Sequence, residues 1–225
     1  MTFRKPQLIP LLFIIGATAL LCTLGGWQLQ RLAWKEGLIA TITQAQAEPA
    51  LVSLPRDMNG LDYRKISLGG HFIKDKELRM VAQPRGGQPG FSQVMPFVLS
   101  DGRVILVNRG WVLAHWEDKQ ALPTKVEGVI RPMRPKRTFT PDNQPENNLW
   151  FFEDAETMGK AVDKQLVPMI IEATGERKKD VYPVPSDGKI SLRNDHLGYA
   201  IIWFSLAVIG LVMFVFYHRE SEKHT

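Results

Sequence analysis

The chain has 225 residues, 44% of them apolar, and 28 basic against 23 acidic side chains give it a net charge of +5. Its one cysteine excludes an internal disulfide, a CxxC pair and the Cys-rich zinc sites. The basic balance does not mark a nucleic-acid binder, because many of the cations flank apolar stretches, where anionic lipid head groups account for them.

The first element is an apolar stretch over residues 8–26, preceded by Arg4 and Lys5 and long enough to span a bilayer as a helix. No small-x-small site follows it, as a cleaved signal peptide would require, and the bulky Leu21 ahead of Cys22 does not suit a lipoprotein anchor. The stretch therefore reads as an uncleaved anchor. Thr18, Cys22 and Gly26 recur at i, i+4 and i+8, which predicts close packing of a second span on that face.

Helical periodicity continues over 27–47, where Trp27, Arg31 and Trp34 fall on one face. These residues are either an aromatic belt with snorkelling cations or, with Lys35, a cationic patch for an anionic group. Pro49, Pro55 and Asn59-Gly60 then mark a loop.

The middle of the chain is strand-like. Residues 64–72, 78–82, 91–99, 103–112, 125–130 and 167–173 are rich in Val, Ile and Phe and bounded by Gly, Pro or Asp. Ser100-Asp101-Gly102 predicts a tight hairpin turn, and Gly86 to Gly90 a turn between strands. Arg131 to Arg137 and the following residues 141–148 are proline-rich and polar, which predicts a long solvated loop. Asp154 is a candidate N-cap for a helix reaching Lys164.

The last element is the uncharged stretch 197–217, long enough for a second span. Asn194 and Asp195 are good N-cap residues for it, which places His196 in its first turn. Basic residues in both tails (Arg4, Lys5, Arg219, Lys223) predict cytoplasmic termini. The expected fold class is a membrane protein in which two transmembrane α-helices enclose a β-rich (α+β) extracytoplasmic domain. Its expected parts are a tail (1–7), a first span (8–26), a juxtamembrane helix (27–47), the domain (48–192), a polar lead with the second span (193–217) and a tail (218–225).

The sequence contains no HExxH, nucleophile elbow, phosphate loop or dinucleotide fingerprint, so no enzyme is expected. His218 and His224 fall in the expected tail, and His71 and His115 read as strand or surface residues. His196 alone combines a helix terminus, an interface and nearby cations. It is either an interfacial residue or a haem ligand. In the second case Arg193, Arg31 or Lys35 would pair with propionates, and Tyr199, Ala200 and Trp203 would share its helix face.

Motifs in order along the chain resemble the surfeit locus protein one family: Gly26-Trp27-Gln28 with Arg31 and Trp34-Lys35; Tyr63-Arg64 and Gly70; Val107-Asn108-Arg109-Gly110-Trp111-Val112; and Asn194 to Ala200 with Trp203-Phe204. The resemblance covers nearly the whole chain. It implies an assembly factor of haem-copper cytochrome c oxidase that transiently binds haem a and aids its insertion into the catalytic subunit. His196 matches the family's haem-ligand position. Expected partners are that catalytic subunit, a haem a synthase and membrane lipids, with no nucleic acid. The expected setting is a bacterial inner membrane with the main domain periplasmic. Arg109 and Trp111 are expected either to form a partner surface or to shape and fill the domain. The alternatives are a haem-free scaffold docking on oxidase subunits and a membrane-anchored enzyme acting on haem or lipid.

Overall fold

The structure, a computed structural model, describes residues 8–118, 120–178, 180–188 and 194–218. The chain divides into two compact units, one holding residues 1–41 and 191–225 and the other residues 42–190.

In the first unit the expected span and its continuation are one helix, α1 (Leu8–Ala47), whose last residues belong to the second unit. At about 1.5 Å per residue its 40 residues are roughly twice what a bilayer requires. The chain's last helix, numbered α3, is His196–Tyr217. Both helices are long and apolar enough to cross a membrane.

The face that α1 packs is not the one expected. Gly25 and Gln28 are buried, with Leu21, Leu24 and Leu32 partly so, whereas Cys22 is exposed and a Cβ on Gly26 would meet nothing. The contact stripe is therefore rotated by about one residue from the Thr18–Cys22–Gly26 line. Two pairings show the helices to be antiparallel: Phe204 lies over Gly25, and Gly210 lies against Ile14.

The second unit is a seven-stranded mixed sheet. Its strands are β1 (Lys65–Phe72), β2 (Leu78–Val81), β3 (Gly90–Leu99), β4 (Val104–Leu113), β5 (Lys125–Pro132), β6 (Leu149–Trp150) and β7 (Leu166–Ala173). β1 pairs with both β5 and β3, so β1-β5-β7-β4-β3 closes into a five-membered ring, and β2 with β6 extends from β3 as a flap. Only β4–β7 and β2–β6 run parallel; the other pairings are antiparallel.

Strand alternation builds two cores from the two faces of the ring. Phe72, Phe97, Ile105, Val107, Ile130 and Ile171 fill one, while Val104, Leu106 and Ile170 join Trp150 and α2 (Ala155–Val162) in the other. Each such large side chain, once buried, contributes about 1.5–3 kcal/mol. The expected cap on α2 is present: Asp154 accepts from the N–H groups of Glu156 and Thr157. The Ser100–Gly102 turn joins β3 to β4, with Gly102 at φ +84°.

Four local expectations change. Arg131 lies on β5 rather than in a solvated loop, and it is buried between Glu153 and Glu172 at 2.6 and 2.5 Å. The proline-rich stretch after it contains a 3-10 turn at Pro145–Asn147. Asp195 stands at the N-cap of α3, but its side chain makes no capping bond. His218 closes α3 rather than entering a free tail; it is buried, and its Nδ1 lies 2.9 Å from the Phe214 carbonyl.

Candidate functional site

Six residues were expected around a haem. Arg193 lies outside the described residues, as do the tail cations Arg4, Lys5, Arg219 and Lys223. The other five lie on the two helices of the first unit, and the structure adds a sixth, Gln28, as the direct partner of His196.

Gln28 stands on the packed face of α1, in line with Leu21, Gly25 and Leu32, and is only 8% exposed. A buried amide in an apolar setting requires a partner. It finds one in His196, whose Nδ1 lies 2.7 Å from Gln28 Oε1. The antiparallel pairing brings them together: Gly25 admits the Phe204 ring, and one turn further along α1 Gln28 reaches the first turn of α3.

The chemistry of the contact is directional. An amide oxygen accepts and never donates, so the imidazole hydrogen is on Nδ1. A neutral ring in that tautomer carries its free lone pair on Nε2, which makes no hydrogen bond to the described residues. A metal-ligating histidine has this form, one ring nitrogen tied to an acceptor and the other left to coordinate. Among the described residues no group of three or more His, Cys, Asp or Glu side chains could hold a bare metal ion. His196 offers a single imidazole, and one imidazole could ligate a haem iron.

The neighbours are arranged unevenly. Ala200, one turn after His196, is buried in the helix pair, while Tyr199 is half exposed and Trp203 partly exposed. Arg31 lays its guanidinium over the Trp34 ring at 4.0 Å, one turn beyond Gln28. Lys35 continues the Gln28 face two turns on and is partly buried. Trp27 and Trp34 are both about half exposed. Asn194 Oδ1 is buried and accepts no hydrogen bond from the described residues.

In the second unit the Arg109 side chain is 9% exposed and Trp111 is buried. In the β3–β4 register Gln93 faces Gly110 and Val94 faces Asn108, so Arg109 is the extra residue of a bulge. Its guanidinium pairs with Asp118 and donates to Gln93 Oε1 at 3.0 Å, and Gln93 in turn donates to Glu77 at 2.8 Å. The groups that fix Arg109 are thus a carboxylate and an amide. Asn108 extends the other network, donating to Glu172 at 2.8 Å. Trp111 exchanges both backbone hydrogen bonds with Val184, at 2.9 and 2.8 Å. Its ring lies 5.9 Å from that of Tyr182.

Gln28 stands in the Gly26-Trp27-Gln28 motif, where the sequence alone indicates no role for it. The signal for it is an amide with leucines at i−7, i−4 and i+4, on the face next to the one that Trp27, Arg31 and Trp34 occupy.

Comparison with known proteins agrees along almost the whole chain. Residues 15–208 match the SURF1 family, a span that includes both Gln28 and His196. A SURF1-like protein of Monosiga brevicollis is 35% identical over 90% of this chain and 85% of its own length. A SURF1-like protein of Rickettsia felis is 29% identical over 93% of this chain and 96% of its own. Surfeit locus protein 1 of Mus musculus is 33% identical over 87% of this chain and 70% of its own. On the match to the family and on these relatives, the chain belongs to the SURF1 family.

Proposed function

We propose that the protein is a membrane-anchored assembly factor of cytochrome c oxidase that holds haem a transiently on His196 and aids its insertion into the catalytic subunit. Family membership supports the assembly role. The observation that carries the haem reading is the 2.7 Å bond from His196 Nδ1 to Gln28 Oε1, which leaves Nε2 as the coordinating nitrogen. The helices α1 and α3 would anchor the chain in a bacterial inner membrane, both termini cytoplasmic and the barrel periplasmic.

The reading is one of carriage rather than conversion. Haem a has an apolar tail, which favours a site beside lipid-facing helices, and a single protein ligand suits a cargo that must be released. Arg31, Lys35 and Arg193 supply cations of the kind that bind propionates, and Tyr199 and Trp203 supply apolar surface on the His196 helix. The haem a synthase is the expected donor and the oxidase catalytic subunit the expected acceptor.

The test is an optical spectrum of protein purified from cells that make haem a, wild type beside His196→Ala. Wild type is expected to carry a haem a band that the variant loses. Equal haem in both, or none in wild type, overturns the reading.

A further inference from the structure

The packed face of α1 carries an amide, Gln28, among apolar neighbours. Leu21, Leu24, Gly25 and Leu32 surround Gln28 on the helix surface, and 8% of Gln28 remains exposed. Burying an amide in an apolar helix pair is unfavourable unless its polar atoms are used, so the residue at this position is tied to its partner. That partner is the one imidazole in the first turn of α3. The contact at 2.7 Å joins residues 168 positions apart in the chain.

We infer that Gln28 is a positioning residue for His196: its Oε1 holds the hydrogen on Nδ1, fixes the ring plane and presents the Nε2 lone pair. The inference rests on the reading of His196 as the haem ligand and names what makes it one. In water a neutral imidazole favours the opposite tautomer, with the hydrogen on Nε2, which blocks coordination through that nitrogen. An acceptor fixed on the Nδ1 side removes that competition and lets the ring donate more electron density to a metal bound at Nε2. An amide does so moderately; a carboxylate in its place would do so more strongly, and an alkyl group not at all.

Two measurements test this in the full chain. The first uses no haem: nitrogen NMR of histidine-labelled protein in lipid nanodiscs, wild type beside Gln28→Leu. Wild-type His196 is expected to carry its hydrogen on Nδ1, and Gln28→Leu to move it to Nε2. Hydrogen on Nε2 in wild type, or no change in the variant, overturns the inference. The second uses protein loaded by co-production with a haem a synthase. Gln28→Leu is expected to weaken haem retention about 10–100-fold and to raise the haem reduction potential, and Gln28→Glu to restore retention and lower the potential below wild type. A role confined to helix packing would not order the potentials by acceptor strength. If His196→Ala loses haem while both Gln28 variants match wild type, Gln28 has no positioning role and the ligand stands. If His196→Ala keeps its haem, the ligand reading falls, and the NMR result still decides whether Gln28 sets the tautomer.

Discussion

Gly25 and Phe204 occupy one volume: a Cβ on residue 25 would lie 2.7 Å from the nearest atom of the Phe204 ring. The ring takes the place of a side chain, which lets the two helix backbones approach. Gly25→Val is expected to push them apart, with an overpacking cost of about 1–3 kcal/mol. The check is disulfide cross-linking of cysteines at 14 and 210, positions in contact in the pair, in a Cys22→Ser background. The yield should fall in Gly25→Val and recover in Gly25→Val with Phe204→Ala.

Arg131 is held by two carboxylates with almost no exposure. Its side chain is 8% exposed and that of Glu153 4%. Burial opposes its charge, but the hydrogen bond and charge of Glu153 and the charge of Glu172 outweigh this and hold the guanidinium pKa above its ordinary value. Removing one member of such a cluster leaves a buried charge without compensation, a loss of about 3–5 kcal/mol. Arg131→Met should therefore lower the denaturation midpoint of the barrel in urea, followed by tryptophan fluorescence. Arg131→Met combined with Glu153→Leu should lose less than the two single changes together.

Gly110 has φ +129°, and a Cβ there would run into the Val184 carbonyl. This is the close approach that lets residue 184 pair with Trp111. Gly110→Ala is expected to displace the 182–186 segment from β4 while the ring survives. Limited proteolysis should show faster cleavage within 182–186, and the Trp111 environment should become more polar.

Asp154 caps α2, and its carboxyl pKa is lowered from 3.8, chiefly by the hydrogen bond with the Thr157 side chain and by the Glu156 and Thr157 N–H groups. A depressed carboxylate contributes stability above its unfolded pKa and loses that contribution as pH falls through the folded value. Asp154→Ala should cost about 1 kcal/mol at neutral pH. The thermal-stability gap between wild type and Asp154→Asn should be largest at neutral pH and close below 3.8.

Much of this was legible in the sequence because it is local. Richness in Val, Ile and Phe between Gly, Pro and Asp marks the long strands, Asp154 marks its helix, and an uncharged stretch marks α3. Ring closure was not legible, because β1 meets β5 and β3 through pairings such as Ser67↔Glu127 and His71↔Val98, which no local pattern encodes. Arg131 looked solvated because prolines follow it, while its partners lie 22 and 41 residues away. The stripe of small residues on α1 was displaced by one position because Gly25 and Gly26 are equivalent by composition, and only the Phe204 ring distinguishes them. His196 was legible as a candidate; its partner was not, since nothing in one helix reports the register of another.

Closure of the ring has a consequence for synthesis. β7 is the strand between β4 and β5, and it is also the last made, so β4 leaves the ribosome roughly sixty residues, or about 3–12 s at ordinary rates, before its parallel neighbour exists. During that interval β1, β3 and β4 can form a sheet with two open edges but no barrel, and half-formed sheets of this kind pair readily with other chains. Amino-acid changes in β7 should therefore reduce the yield of folded protein more than equally destabilising changes in β1, because the nascent sheet waits for that strand alone.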